Sequence, residues 1–211
     1  MSAAGLAARV SLANRRRKLR HFMATVRPVE TTTIVDVGVA DAGFAAEGGH
    51  GYTYNFFEEL YPWRHRITAV SDRPLDRFQE VFPEIRCVVA DGRRLPFADG
   101  EFDVAFSNAV VEHVGPATDQ RRFVEELCRV AGCVFVTTPN RLFPLEVHTL
   151  VPLAHWLPRP AADRVFAGLG RDGWRGVRLL TPRTLLALFP PGRRTRLVDR
   201  GITLSAFSEP G

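Results

Sequence analysis

Lysine is the residue that this 211-residue sequence most conspicuously lacks. Lys18 is the single lysine among 28 basic residues, and arginine carries the rest of the positive charge. Apart from a cluster at residues 15–20, the arginines are scattered along the chain. This pattern is more typical of a coding bias than of a phosphate-binding face, which needs clustered cations. The net charge of +5 therefore does not predict a nucleic-acid partner.

Cysteine and long apolar runs are scarce as well. The three cysteines, Cys87, Cys128 and Cys133, lie in apolar stretches without a CxxC or Cys/His spacing. We therefore expect buried, reduced thiols and no metal site. No run is long and apolar enough to span a bilayer. Together these absences predict a cytoplasmic protein without a transmembrane segment.

Acidic residues are missing from the N-terminal segment, where the first one is Glu30. This basic segment resembles a transit peptide in composition, but it lacks the apolar core of a secretory signal. Residues 3–25 are good helix formers and end before Pro28, which cannot continue a helix. The simpler prediction is a basic amphipathic helix that lies over the rest of the protein.

Between residues 31 and 138, short apolar runs alternate with helical patterns. The runs are rich in β-branched residues, as strands buried on both faces are, and they lie at 31–38, 67–70, 85–89, 103–107 and 133–138. The helical patterns lie at 52–62, 74–82 and 119–130. This alternation predicts an α/β fold with a doubly wound, mostly parallel sheet.

The last third of the chain is less regular. Residues 139–180 are rich in Pro, Trp, Gly and Arg and predict a lid-like cap of helices and loops after strand five. A helix is predicted at 182–189, and two final strands at 195–207 are joined at Gly201, the second of them weak. We expect one domain over 1–211, with an N-terminal helix at 1–30, a core at 31–140, a cap at 141–180 and a C-terminal helix with strands at 181–211.

The loop after strand one narrows the choice of ligand. In open α/β sheets, ligands bind beyond the carboxyl ends of the strands. Gly38 allows a sharp turn and close approach of the backbone at that place. The loop is not G-x-G-x-x-G, because Ala40 and Ala42 crowd the space that a pyrophosphate needs. S-adenosylmethionine carries no phosphate and suits this loop better than a dinucleotide does.

The ends of strands two and three carry carboxylates. Asp72 follows strand two, where a carboxylate accepts hydrogen bonds from both ribose hydroxyls, although an acid there also suits the start of a helix. Asp91 and Gly92 follow strand three. At this strand end, Asp91 can accept a hydrogen bond from an adenine amino group, and Gly92 allows the base to lie close to the backbone. An ordinary turn is the alternative.

Three strings carry a family resemblance: Val35–Gly38, Ala90–Phe97 and Phe102–Val114, of which the second and third occur in tandem. On these strings the chain resembles class I S-adenosylmethionine-dependent methyltransferases, especially the small-molecule group named methyltransferase type 11. The resemblance covers roughly residues 31–140 and implies a Rossmann-like methyltransferase fold.

The resemblance also implies S-adenosylmethionine as cofactor and a set of residues that bind it. By position these are Asp36 and Gly38 for the amino-acid end, Asp72 for the ribose, Asp91 and Gly92 for the adenine, and Ser107 and Asn108 for the channel shared with the acceptor. One departure stands out, because the family's first motif has glycines where this chain has Ala40 and Ala42.

Two histidines are candidates for a catalytic role. Methyl transfer mainly needs alignment and exclusion of water, and a general base helps when the acceptor is a hydroxyl. His113 follows strand four and His148 follows strand five, so both are expected at the same edge of the sheet. Glu146 is a possible partner of His148, but their spacing brings them together only on a loop. A structural role for either histidine is the alternative.

The acceptor is expected to be a small molecule. Residues 142–174 offer apolar and aromatic side chains for a pocket wall or, equally, for a packed cap: Phe143, His155, Trp156, Leu157, Phe166 and Trp174. A protein that keeps the fold but has lost cofactor binding is one alternative, motivated by the altered first motif. An RNA or DNA methyltransferase is another, but Ser107–Val110 replaces the Asn-Pro-Pro-Tyr type of motif after strand four. A nicotinamide oxidoreductase is a third alternative, but the loop after strand one lacks the glycines that such an enzyme needs.

Overall fold

A seven-stranded sheet forms the centre of the computed structural model, which describes residues 3–43 and 55–211. In space the strands run β3-β2-β1-β4-β5-β7-β6. Their bounds are β1 Ile34–Val37, β2 Ile67–Ser71, β3 Arg86–Val89, β4 Phe102–Asn108, β5 Ala131–Pro139, β6 Arg193–Asp199 and β7 Thr203–Pro210.

The first five strands are parallel, and the chain reverses its direction of travel across the sheet between β1 and β4. Ile34 of β1 pairs with Ile67 of β2 on one side and with Val104 of β4 on the other. β7 is antiparallel to both β5 and β6. The predicted doubly wound, mostly parallel fold is confirmed, and its switch point lies at the ends of β1 and β4.

The described helices are α1 Ala3–Val26, α2 Phe56–Leu60, α3 Asp76–Val81, α4 Ala117–Val130, α5 Arg159–Gly168 and α6 Pro182–Leu186. The helix predicted at 52–62 begins at Phe56 within the described part, and residues 52–54 of that prediction lie outside it. The helix predicted at 182–189 ends at Leu186, three residues early. The N-terminal helix is present as predicted.

Each face of the sheet has its own apolar layer. On one face, α4 and α6 bury Phe123, Leu127 and Leu185 against the strands. On the opposite face, α1, α2 and α3 contribute a second layer that includes Phe22 and Phe78. Burial on both faces explains the almost continuous apolar character of the central strands.

The cap after β5 is largely packed against itself. Trp174 stacks on Phe166 with ring centroids 4.4 Å apart, and both are buried with Ala162 of α5. Trp156 is 48% exposed. Among the helices that the structure describes, none has the length and apolar character needed to cross a membrane.

Candidate functional site

A cleft of about 690 Å³ lies at the carboxyl ends of β1 to β4. Gly38 enters it directly after β1, Asp72 after β2, and Asp91 with Gly92 after β3. His113 lines it from the segment that follows β4. The tertiary structure therefore brings together five of the predicted site residues around one space at the switch point of the sheet.

Two glycines shape the wall of this cleft. Gly38 has φ 103°, and a Cβ there would stand 2.2 Å from Cγ2 of Val110. A Cβ on Gly92 would stand 2.6 Å from Cε2 of Phe123 and 3.0 Å from Cγ1 of Val37. Neighbouring apolar side chains therefore already fill the space that a Cβ would need at either position, and these side chains line the cleft together with the two glycines.

The two carboxylates at the rim differ in their surroundings. Asp72 is exposed, and no partner of its carboxylate is found in the described part of the chain. Asp91 forms a fork with Arg93, with Nε–Oδ1 at 3.0 Å and Nη2–Oδ2 at 2.7 Å. Arg93 also donates from Nη1 to Oδ2 of Asp119 at 2.7 Å. Hydrogen bonds from Arg93 hold the pKa of Asp91 below its usual value, so Asp91 is an oriented acceptor.

Asp36 and Asn108 lie beside the cleft around a smaller cavity of about 40 Å³, which Gly38 also lines. Asp36 is buried against Glu58, and burial together with this second carboxyl raises the pKa of Asp36 well above its usual range. Burial also raises the pKa of Glu58, to about 7. Two buried carboxyl groups in contact repel each other when both are ionised, so they favour sharing a proton or holding a positive charge in this cavity.

Ser107 does not reach either cavity. It is fully buried, and its hydroxyl donates to the carbonyl of Val37 at 2.9 Å. It therefore ties the end of β4 to the end of β1 and supports the cleft from behind, instead of lining the channel as the sequence predicted.

Lys18 is a site residue that the sequence patterns did not reveal. Its Nζ donates to Oδ1 of Asn108 at 2.9 Å, and the hydroxyl of Thr137 donates to the same oxygen at 2.7 Å. Burial, followed by the charge of Arg15, lowers the pKa of Lys18 to about 8. The only hint in the sequence was that Lys18 is the single lysine, while every other basic position of this kind holds arginine.

Ala40 and Ala42, the departure from the family motif, do not line the cleft within the described residues. Asn55 binds this loop instead, donating from Nδ2 to the carbonyl of Ala40 at 2.9 Å and to that of Ala42 at 2.5 Å. The two methyl groups therefore do not narrow the space beside Gly38.

His113 and His148 meet at the edge of the cleft, with ring centroids 4.9 Å apart. His148 Nδ1 lies 2.6 Å from Oε1 of Glu146, so the pairing that required a loop is present in the turn after β5. Oε2 of Glu146 accepts from the backbone N–H and the hydroxyl of Thr149, each at 2.7 Å. Burial opposes ionisation of Glu146, but these hydrogen bonds prevail and lower its pKa to about 2.

The pKa values of the two histidines are shifted in opposite directions. Burial, then the neighbouring His148, lowers the pKa of His113 to about 4. Burial also acts to lower the pKa of His148, but hydrogen bonding to Glu146 and the charges of Glu146 and Glu112 outweigh it and raise the pKa.

Glu112 is the second site residue that the sequence patterns did not reveal. It is fully buried, and its Oε2 accepts from the hydroxyl of Thr138 at 2.9 Å. Burial raises its pKa. Its Oε1 has no hydrogen-bond partner among the described residues and lies 4.0 Å from Nε2 of His113 and 4.0 Å from Nε2 of His148. The adjacent acid and histidine in Val111–Val114 were the available signal.

Comparison with known proteins gives sequence matches of limited extent. The methyltransferase domain family matches residues 48–132. A 64-residue stretch is 38% identical to proteins from two strains of Mycobacterium tuberculosis, each named a probable S-adenosylmethionine-dependent methyltransferase. That stretch is 29% of this chain and 22% of each relative. The match therefore spans about a fifth of the length of these curated relatives.

Solved structures share the fold over most of the chain. N-methyltransferase NodS from Bradyrhizobium japonicum, in complex with S-adenosyl-L-homocysteine, has a TM-score of 0.59 at 13% identity, covering 93% of this chain and 86% of NodS. The PH0226 protein from Pyrococcus horikoshii also has a TM-score of 0.59 at 13% identity, with coverage of 91% and 87%. This likeness agrees with the predicted Rossmann-like fold, and the sequence matches over part of the chain are to methyltransferases.

Proposed function

We propose that this chain is a class I S-adenosylmethionine-dependent methyltransferase, which transfers the cofactor's methyl group to a small-molecule acceptor. One observation carries the proposal: Gly38, Asp72 and Asp91, which follow three different strands, line a single cleft at the switch point of the sheet. Its volume of about 690 Å³ accommodates a nucleoside that carries an amino-acid chain.

The residues around the cleft fit the parts of the cofactor. Asp72, unpaired within the described chain, accepts from the ribose hydroxyls. Asp91, oriented by Arg93, accepts from the adenine amino group while Gly92 lets the base approach Phe123. At the other end, the buried Asp36 faces the smaller cavity beside Gly38 and receives the cofactor's ammonium group, with Asn108 nearby.

The chain's own contribution to catalysis is to position the acceptor and to exclude water from the reacting atoms. S-adenosylmethionine, when bound, supplies a methyl group already activated on a sulfonium. The protein must hold the acceptor's nucleophilic atom in line and keep water out. We assign the contact with that atom to His113, which lines the cleft, and to His148, which Glu146 orients beside it.

A small acceptor is supported by the size of a second cavity near the Glu112 segment. A second cavity of about 360 Å³ is lined by Arg178 and Trp174, among others. It adjoins the Glu112 segment, because the backbone N–H of Arg178 donates to the carbonyl of Glu112 at 2.7 Å. A cavity of this volume suits a small molecule.

We further propose that the whole chain acts as one domain in the cytoplasm, where the free thiols of the three cysteines stay reduced.

Calorimetric titration with S-adenosylmethionine tests the cofactor site. We expect Asp72→Ala and Asp91→Ala each to weaken binding by at least ~10-fold, because each removes a charged hydrogen-bond acceptor. Asp76→Ala is the matched control, since this exposed aspartate lies on α3, outside the cleft. Circular dichroism of each variant confirms that it is folded.

Two results would contradict the proposal. Absence of binding by the wild-type chain at millimolar cofactor would favour a protein that keeps the fold without the activity. Unchanged affinity in both aspartate variants would overturn the site. The acceptor class is tested by offering labelled S-adenosylmethionine with a metabolite extract or with total RNA, and we expect label in the small-molecule fraction.

A further inference from the structure

Three metal-ligating side chains converge beside the cofactor cleft. One donor atom from each of Glu112, His113 and His148 lies within 4.8 Å of the other two. Oε1 of Glu112 stands 4.0 Å from Nε2 of both histidines. Two imidazoles and one carboxylate, contributed by segments that follow two neighbouring strands, are a ligand set typical of open transition-metal sites.

The carboxylate of Glu112 is a second observation that favours a cation at this place. Its carboxylate is completely buried, and one oxygen is satisfied by the hydroxyl of Thr138. The other oxygen, Oε1, faces the histidines without a hydrogen-bond partner among the described residues. Leaving a buried carboxylate oxygen unsatisfied is costly, so the arrangement calls for a positive group between Glu112 and the two rings.

The surroundings of His148 orient one ring nitrogen toward that place. Its Nδ1 is 2.6 Å from Oε1 of the buried Glu146, and both oxygens of Glu146 are held by further hydrogen bonds. A carboxylate that accepts from Nδ1 leaves the lone pair of Nε2 free for a metal, which is the usual arrangement behind metal-bound histidines. Glu146 and Glu112 supply two negative charges, and Lys18, bonded to Asn108, supplies one positive charge near them.

We propose that Glu112, His113 and His148 bind one divalent transition-metal ion, with Zn²⁺ as the best fit, at the edge of the cofactor cleft. Nitrogen and oxygen ligands in this combination suit Zn²⁺, whose bonds to them are ~2.0–2.2 Å long. Donor atoms at that distance in a tetrahedral site stand ~3.4 Å apart, so closing the site needs shifts of less than ~1 Å in each side chain. The cysteine spacings of the sequence predicted no metal, and this site contains no cysteine.

The position of the site suggests how the ion serves the reaction, a role that rests on the proposed function. With the ion bound, the two histidines act on the acceptor's nucleophilic atom through the ion and do not touch it directly. His113 lines the cleft, so an ion held by it has a free coordination position on the cleft side. An acceptor hydroxyl that ligates the ion there is held at a defined place, and its pKa falls so that it releases its proton to water near neutral pH. The acceptor class is therefore a small molecule that binds metal through a hydroxyl oxygen.

Cobalt binding by the 211-residue chain tests the site without any acceptor. The purified chain is stripped with a chelator and titrated with Co²⁺, whose visible absorption reports nitrogen and oxygen coordination, and Zn²⁺ is measured by calorimetry. We expect one ion per chain. Glu112→Gln and His148→Ala should each raise the Kd at least ~10-fold. His65→Ala is the matched control, because this exposed histidine precedes β2 at the opposite edge of the sheet, and it should leave the Kd unchanged.

The outcomes separate this inference from the proposed function. S-adenosylmethionine binding is measured on the same stripped samples and also shows whether each variant is folded. If Glu112→Gln does not fold, the partly exposed His148→Ala decides. The inference is overturned if the wild-type chain binds no Co²⁺ or if folded variants bind it as tightly as the wild type. Metal binding without cofactor binding would contradict the proposed function and leave the metal site supported.

Discussion

At the scale of single residues, Gly38 is required for two separate reasons. Its φ of 103° is unfavourable for any residue with a Cβ, and the side chain of Val110 occupies the place where that Cβ would go. Gly100 provides a comparison for the effect of φ alone. Its φ is also positive, at 66°, but no neighbouring atom lies within 4 Å of the position that a Cβ would take.

We predict that Gly38→Ala lowers the free energy of unfolding by more than ~2 kcal/mol and abolishes measurable cofactor binding, whereas Gly100→Ala costs only ~1 kcal/mol. Urea denaturation and calorimetry measure the two effects. The double variant Gly38→Ala/Val110→Ala should recover part of the loss, because it removes the collision but not the φ strain. Equal costs at the two glycines would show that the contact with Val110 is unimportant.

At the scale of secondary-structure elements, α1 is more than a basic cover. Phe22 is completely buried, and its ring meets Phe57 at 5.0 Å, Phe135 at 5.4 Å and Phe106 at 5.5 Å between centroids. These partners come from α2, β5 and β4, so α1 closes one apolar layer of the sheet. Through Lys18 the same helix also reaches Asn108 at the end of β4.

We predict that Phe22→Ala lowers the free energy of unfolding by ~3–5 kcal/mol, because it leaves a cavity among large rings. Arg20→Ala, an exposed change on the same helix, should cost less than ~0.5 kcal/mol. Chemical denaturation followed by tryptophan fluorescence compares the two. A Phe22→Ala protein as stable as the Arg20→Ala protein would mean that α1 does not pack on the sheet.

The final strands show a limit of sequence patterns at this scale. Residues 203–207 were a weak strand candidate, yet β7 lies between β5 and β6 and pairs with both. Six consecutive residues of β7 are buried. Position inside the sheet, with hydrogen bonds on both edges, outweighs weak local preference.

At the scale of the whole molecule, the buried pair Asp36 and Glu58 makes stability depend on pH. The folded-state pKa of Glu58 is raised to about 7, mainly by burial. A carboxyl with a raised pKa adds stability that is fully present below its unfolded pKa and is lost as the pH rises through the folded value. The protein should therefore lose stability between about pH 5 and about pH 8.

We predict that Glu58→Gln flattens this decline, by an amount of the order of 1–3 kcal/mol, because the amide carries no charge to bury. Urea denaturation at about pH 5 and about pH 8 measures the change. Glu59→Gln is the control: it alters the neighbouring residue, whose carboxylate is partly exposed and pairs with Arg64, and it should leave the pH dependence as in the wild type. A decline of the same size in Glu58→Gln would remove the basis for the buried pair.

The sequence by itself determined the parallel core and the residues at the strand ends. These follow from local features: β-branched runs predict buried strands, and Gly38, Asp72 and Asp91 come directly after them. Since parallel strands end at one edge of a sheet, their convergence was predictable without coordinates.

Only the tertiary structure decided which side chains face the cleft and which partners they have. Ser107 donates inward to Val37, and Lys18 bonds to Asn108, 90 positions away in the sequence. One oxygen of Glu112 has no hydrogen-bond partner in the described part of the chain. Such pairings depend on the packing of helices and loops against the sheet, and a local pattern carries no information about contacts between distant segments. For the same physical reason, the meeting of His113 with His148 became specific only when the segments after β4 and β5 were placed side by side.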